Sequence, residues 1–171
     1  MNIIRIILII IIAVLVGFFV KTYFVGRIYI VSASMEPTLK INDKFWVNKL
    51  VYLIRTPKHG EIVVFKSPVE DIYEVKRVIA VAGDTIEIIN KIVYINKTKL
   101  EEPYIQHTRG DELLEDDNFG PFVVPSDSMF VLGDNRDESK DSRNWRDLKT
   151  GNSLPFVPLE NAEGKLVDKM D

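Results

Sequence analysis

Three short stretches hold most of the side chains able to do chemistry. The first is Val31–Leu39, VSASMEPTL, where Ser32, Ala33 and Ser34 precede Met35. Pro37 lacks an N–H and constrains Glu36, so this segment reads as a turn or extended chain, not a helix. A hydroxyl on such a turn can face a cleft, with nearby backbone N–H groups free to meet an oxyanion. Serines also form ordinary turns, and the stretch alone leaves both readings open. The second is Lys76, in EVKRVIAVAGD, a lysine inside an otherwise apolar strand pattern. As an edge-strand residue it would point to solvent. Desolvated by its neighbours, it would instead be a general base, because an unperturbed amine of pKa about 10.4 is only ~0.1% neutral near pH 7.4. The third is Gly133–Arg143, GDNRDESKDSR. Counted from Asp137, the sixth position is Ser142 where a calcium loop needs glycine, so a calcium site is excluded. What remains is a loop able to orient a neighbour, with Asp141 and Arg143 as an ion pair and Ser139 as a hydroxyl.

Composition narrows the chemistry further. The 171 residues suit one domain, or one with a small embedded subdomain. With 22 basic against 25 acidic residues there is no basic field for nucleic acid. The absence of cysteine excludes disulfides, thiol catalysis and cysteine-held zinc. Only His59 and His107 could supply an imidazole base, and Pro57-Lys58-His59-Gly60 reads as a turn before a strand.

The elements that must position these residues fall into two parts. Residues 1–26 are expected to form a retained membrane anchor. Ile6–Val20 carries no charge, and Arg5 and Lys21 at its ends have stems long enough to snorkel. A helix over Ile3–Val25 would reach roughly 34 Å, against a hydrocarbon core of about 30 Å. Val31-Ser32-Ala33 has the make-up of a signal-peptide cleavage site, but the apolar run is long for such a peptide and Lys21 and Arg27 intervene. Basic residues flank both ends, so charge assigns no orientation.

From Ile28 on, the pattern is β. Phe45–Val47, Ile62–Phe65, Tyr73–Val81, Thr85–Ile89, Ile92–Ile95 and Met129–Leu132 are short β-branched or aromatic runs between turn-forming residues. Asn90-Lys91 reads as a hairpin turn, and Glu101–Gly120 as a charged surface excursion. The expected fold is mainly β: an N-terminal transmembrane helix, then a compact β-sheet catalytic domain over residues 27–171. Residues about 84–128 form a small β excursion within it.

In this order, SASMEPTL, YEVKRVIAVAGD and GDNRDESKDSR resemble type I signal peptidases of the bacterial serine–lysine kind. HGEIVVFKSP, INKTKLEEPYI and FGPFVVPSDSMFVLGDNRD look like further family segments. The resemblance implies Ser34 as nucleophile and Lys76 as general base, with the Ser34 N–H and Ser32 hydroxyl as the oxyanion hole. It implies that Ser139 orients the Lys76 amine, and that Asp141, Arg143 and Arg77 hold the surrounding loop. Ile30, Met35, Leu39 and Val75 match positions lining shallow pockets for small side chains at the −3 and −1 positions of the substrate. The substrate would bind as an added β-strand. Exported preproteins and the lipid bilayer are the implied partners, with the catalytic domain outside the cytoplasmic membrane. Neither cofactor nor metal is expected. Phe45 and Trp46 could rest on the membrane or pack in the strand core.

One departure stands out. After Trp145 the chain inserts RDLKTGNSLP before Phe156-Val157-Pro158, where the family passes almost directly to Gly-x-Val-Pro. A loop insertion of about ten residues costs little in chain entropy. Its Lys149-Thr150-Gly151 matches an element of penicillin-binding enzymes, but no serine here has lysine three positions on. Two alternatives remain: a specialised serine–lysine peptidase for one exported or pilus protein, and an inactive membrane-anchored β-domain.

Overall fold

The computed structural model describes residues 3–170, and the side chains of residues 19–25 lie outside that description. Helix α1 (Ile3–Phe24) runs for 22 residues of almost wholly aliphatic sequence. Counted over the described residues, no helix is long and apolar enough to cross a membrane. Arg5 is exposed, while the expected snorkelling of Lys21 falls outside the described side chains.

The chain then alternates strands and turns. Strand β1 (Val25–Tyr29) pairs with β2 (Lys44–Asn48), after which α2 (Val51–Ile54) makes a single turn. Next come β3 (Ile62–Lys66), β4 (Tyr73–Val81), β5 (Thr85–Ile89), β6 (Ile92–Ile95) and β7 (Thr98–Lys99). The remainder is β8 (Phe119–Val123), β9 (Ser128–Leu132), β10 (Val157–Pro158) and β11 (Ala162–Lys169). One sheet of seven strands has the order β1-β2-β11-β3-β4-β9-β10, and a second of four has the order β7-β6-β5-β8. Every named strand pair is antiparallel.

The apolar runs read from the sequence are all strands, within a residue or two at their ends. Asn90 and Lys91 take φ of 49° and 69° in the β5–β6 turn, as the hairpin reading requires. Strand β11 was not legible. Its sequence AEGKLVDK mixes charged and small residues, yet it lies between β2 and β3 and pairs with both. Strand β8, FGPFV, was also hidden. It carries glycine and proline and sits at a sheet edge, where proline breaks no ladder.

Three apolar clusters hold the sheets. Ile86, Ile88 and Val93 of the small sheet pack on Ile79, Ala80, Phe130 and Leu132. Ile30, Met35 and Leu39 pack with Phe45, Val47, Val64, Leu166 and, at their margin, Val75. Val63, Phe65, Val78, Met129 and Val131 surround Trp145, whose ring meets Phe65 edge-on at 5.9 Å. Burying each such side chain contributes about 1.5–3 kcal/mol. Phe45 therefore belongs to the core, while half-buried Trp46 lies under the Arg27 guanidinium at 4.8 Å.

Strand β4 serves all three clusters because its register shifts. Val78 faces Val131 but Ala80 faces Phe130, so one extra residue sits in β4 between them. Before that bulge, Glu74 and Lys76 lie opposite Phe65 and Val63, and Val75 points to the other face. Pairing with β9 begins only at Arg77↔Leu132, so among the described residues the ladder partners of Tyr73–Lys76 lie on β3 alone.

Candidate active site

A cleft of about 360 Å³ opens along this free edge of β4. Ile30, Met35 and Val75 are among its apolar lining, and Ser32, Ser34, Glu74 and Lys76 among its polar lining. Leu39 is buried behind Met35 in the same cluster and does not line this cleft. Neither histidine lines it: His59 Nε2 lies 2.6 Å from Asp84 and His107 Nδ1 3.4 Å from Asp137.

Ser34 sits in a 3₁₀ turn, Ala33–Met35, closed by Glu36 N–H donating to the Ala33 carbonyl at 3.0 Å. Its hydroxyl is 3.2 Å from the Ser32 hydroxyl. So short a turn cannot hold its own place, and the Gly133–Arg143 loop holds it instead. Asn135 N–H donates to the Ser34 carbonyl at 3.1 Å, and Asn135 Nδ2 to the Ala33 carbonyl at 3.2 Å. A Cβ on Gly133 would collide with both the Ser139 hydroxyl and the Ser34 carbonyl, so the close approach requires glycine.

Lys76 is 4% exposed, which excludes the solvent-facing placement. Burial pushes its pKa below the ordinary lysine value; the charges of Asp141 and Glu74 work against that shift and Arg143 reinforces it. Glu74 Oε2 lies 3.8 Å from Nζ. Among the described residues no hydrogen bond joins Ser34 Oγ to Lys76 Nζ, although both open onto the same cleft. Catalytic hydrogen bonds are often long until substrate is bound.

The residues of the loop after β9 and Arg77 are tied into buried hydrogen-bond networks. Asp141 is fully buried and accepts from Arg143 Nε at 2.9 Å, Arg143 Nη2 at 3.0 Å and Gly133 N–H at 3.1 Å. Burial alone would raise its pKa; the Arg143 charge and hydrogen bonds reverse this and keep it ionised. Arg77 binds Asp134 through Nε at 2.8 Å and Nη2 at 2.6 Å, and Thr38 donates to the same carboxylate at 2.5 Å. Ser139 is buried, and its hydroxyl has no hydrogen-bond partner among the described residues. A buried hydroxyl without a partner keeps its donor and acceptor capacity unspent.

Sequence reasoning missed Glu74, Asn135, Gly133 and Thr38. Only Glu74 left a usable signal, since positions two apart in a strand share a face. The segment after Trp145 does form a loop closed on itself. Asp147 accepts from Lys149 and Thr150 N–H at 2.8 and 2.7 Å, and Leu154 N–H returns to the Trp145 carbonyl at 3.0 Å.

The chain is similar to known proteins along most of its length. The family described as "Signal peptidase, peptidase S26" matches residues 3–169. Signal peptidase I P of Bacillus subtilis subsp. natto is 35% identical over 164 residues, 89% of this chain and 87% of its own length. Signal peptidase I of Bacillus amyloliquefaciens is 39% identical over 145 residues, 82% of this chain and 77% of its own. A probable signal peptidase I-2 of Synechocystis is 37% identical over 160 residues, and the matched part spans 90% of this chain and 66% of that relative. The crystal structure of a signal peptidase I from Enterococcus faecalis superimposes with a TM-score of 0.51 at 29% identity, covering 67% of this chain and 99% of that one.

By class, then, this is a serine endopeptidase, a hydrolase of mainly β fold. The chain belongs to the signal peptidase family, peptidase S26.

Proposed function

We propose that this protein is a membrane-bound signal peptidase that cleaves N-terminal signal peptides from exported preproteins with a Ser34–Lys76 dyad. Lys76 takes the Ser34 proton as Oγ attacks the scissile carbonyl, and a C–O bond forms. The oxyanion is met by the Ser34 N–H and the Ser32 hydroxyl. As the intermediate collapses, the C–N bond breaks and the Lys76 ammonium returns its proton to the leaving amine. Lys76 then deprotonates a water that hydrolyses the ester, and Ser34 is regenerated. Ser139 orients the amine, while Asp141, Arg143 and Arg77 hold the loop around it.

The observation that carries this reading is a buried lysine, its amine biased toward the neutral form, opening onto the same cleft as a buried serine. The unpaired edge of Tyr73–Lys76 suits a substrate strand adding beside it. Ile30, Met35 and Val75 leave room for small side chains at the −3 and −1 positions, with Leu39 supporting them from behind. Residues 1–26 serve as a single-pass anchor in the cytoplasmic membrane, with residues 27–171 on its outer side. In support of anchoring, the apolar side chains of α1 from Ile3 to Phe18 are largely exposed to their surroundings.

The test uses detergent-solubilised protein and a preprotein with an Ala-x-Ala site. Wild type should cleave after the final alanine, read from the product N-terminus by mass spectrometry, and Ser34→Ala and Lys76→Ala should not. Equal cleavage by all three would sink the dyad.

A further inference from the structure

Glu74 has no role in the reaction just described, yet it is the carboxylate that reaches the Lys76 amine. Two positions apart on β4, the side chains leave the same face, with Glu74 Oε2 3.8 Å from Nζ and exposures of 15% and 5%. The face beneath them is apolar, since their β3 partners Phe65 and Val63 are fully buried. Screening by water is therefore weak.

Other charged groups approach from each neighbouring element. From the loop after β9 come Asp141 and Arg143, which are bound to each other. From the turn after β3 come the Ser67 hydroxyl and Glu70, the latter held by Lys140 at 2.7 Å. Glu138 stands on the cleft wall, and the 3₁₀ turn contributes only the hydroxyls of Ser32 and Ser34. Asp141 acts on the amine from farther off and is partly offset by its own partner Arg143, whereas Glu74 is the carboxylate within 4 Å of Nζ.

We propose that Glu74 is a positioning residue for Lys76: its carboxylate engages the amine in the resting cleft and sets the pH above which the amine can accept the Ser34 proton. The proposal rests on Lys76 being the general base. A carboxylate at this distance favours the ammonium form, so Glu74 opposes the burial that frees the base. Burial in turn raises the pKa of Glu74 itself, against the pull of Ser67 and Lys76. The carboxylate is thus held close to the amine without the strong ionic grip of an Asp141–Arg143 pair.

The experiment is a pH titration of Lys76 followed by NMR in full-length protein carrying ¹³Cε-labelled lysine. Lys76→Ala assigns the resonance. In Glu74→Gln the amine should titrate about one pH unit lower than in wild type, the low end of the shift an adjacent opposite charge produces. Glu74→Ala should move it the same way and serves if the glutamine variant fails to fold. An unchanged titration in either folded variant overturns the proposal. In the cleavage assay the acidic limb of kcat/KM should move down with the amine, so the rate well below the wild-type limb rises up to about tenfold. A loss of rate at every pH with the limb in place would mean a packing role only. If wild type does not cleave at all, the peptidase reading fails, while the NMR titration still decides the Glu74–Lys76 coupling.

Discussion

The Asn135 backbone N–H donates a 3.1 Å hydrogen bond to the Ser34 carbonyl, and the Asn135 side chain adds a second, to Ala33, across 102 positions of sequence. The serine turn is therefore placed by the loop leaving β9 and not by its own three residues. Asn135→Ala removes only the side-chain bond. It should cost about 1 kcal/mol, seen as a fall of ~2–4 °C in Tm. The accompanying loss of activity should appear in kcat more than in KM. An unaltered Tm and kcat would show that the backbone bond suffices.

Gly133 lies where the Ser139 hydroxyl and the Ser34 carbonyl converge. Gly133→Ala should force them apart at a cost of about 1–3 kcal/mol. Because displacement of a reacting group by about 1 Å can cost ~10²-fold, cleavage should fall by that order while the protein still folds. A circular dichroism melt beside the cleavage assay separates the two effects.

Asp141 and Arg143 are both buried and their side chains bind each other through two hydrogen bonds. Asp141→Asn leaves the buried Arg143 guanidinium only Asp117, 3.9 Å from Nη1, and should destabilise by about 3 kcal/mol, the low end for breaking a buried pair. Asp141→Asn combined with Arg143→Met should recover part of that loss, because the uncompensated charge is gone. Urea unfolding of the two single variants and the double gives the coupling. Additive losses would refute the pairing.

Lys76 carries a stability cost that depends on pH. Its pKa is lowered in the folded state from the ordinary value of 10.5, so between the two values the unfolded chain holds a proton that the folded chain lacks. Stability therefore rises with pH through that window, and below it the full cost is present. Lys76→Met should stabilise the protein near neutral pH by about 1–2 kcal/mol, although it abolishes cleavage. The advantage over wild type should shrink as the pH climbs toward 10.5. Denaturant melts at several pH values measure it, and a constant difference would contradict a desolvated lysine.

The sequence by itself determined the features that depend on near neighbours. Apolar runs with β-branched residues marked β2 to β6 and β9, because strand periodicity and turn chemistry act over a few residues. Asn90-Lys91 announced its turn because few residues tolerate positive φ. The three motifs singled out Ser34, Lys76 and Ser139 because a serine on a proline-bounded turn and a lysine in an apolar strand are odd where they stand.

Only the tertiary structure decided which of those oddities meet and how they are supported. Whether Lys76 faced solvent or the interior depended on which strand ran beside β4 and where β9 stopped pairing. Arg77 found Asp134 57 positions away, and a local pattern does not encode such a partner. Leu39 read as a pocket residue but packs behind Met35, since the sheet presents only part of that cluster to the cleft. Strand β11 showed no apolar run because its place between β2 and β3 is secured by backbone hydrogen bonds, which every sequence can make. Burial of charge, edge pairing and the close approach at Gly133 are sums over distant segments, and they exist only once the chain has folded.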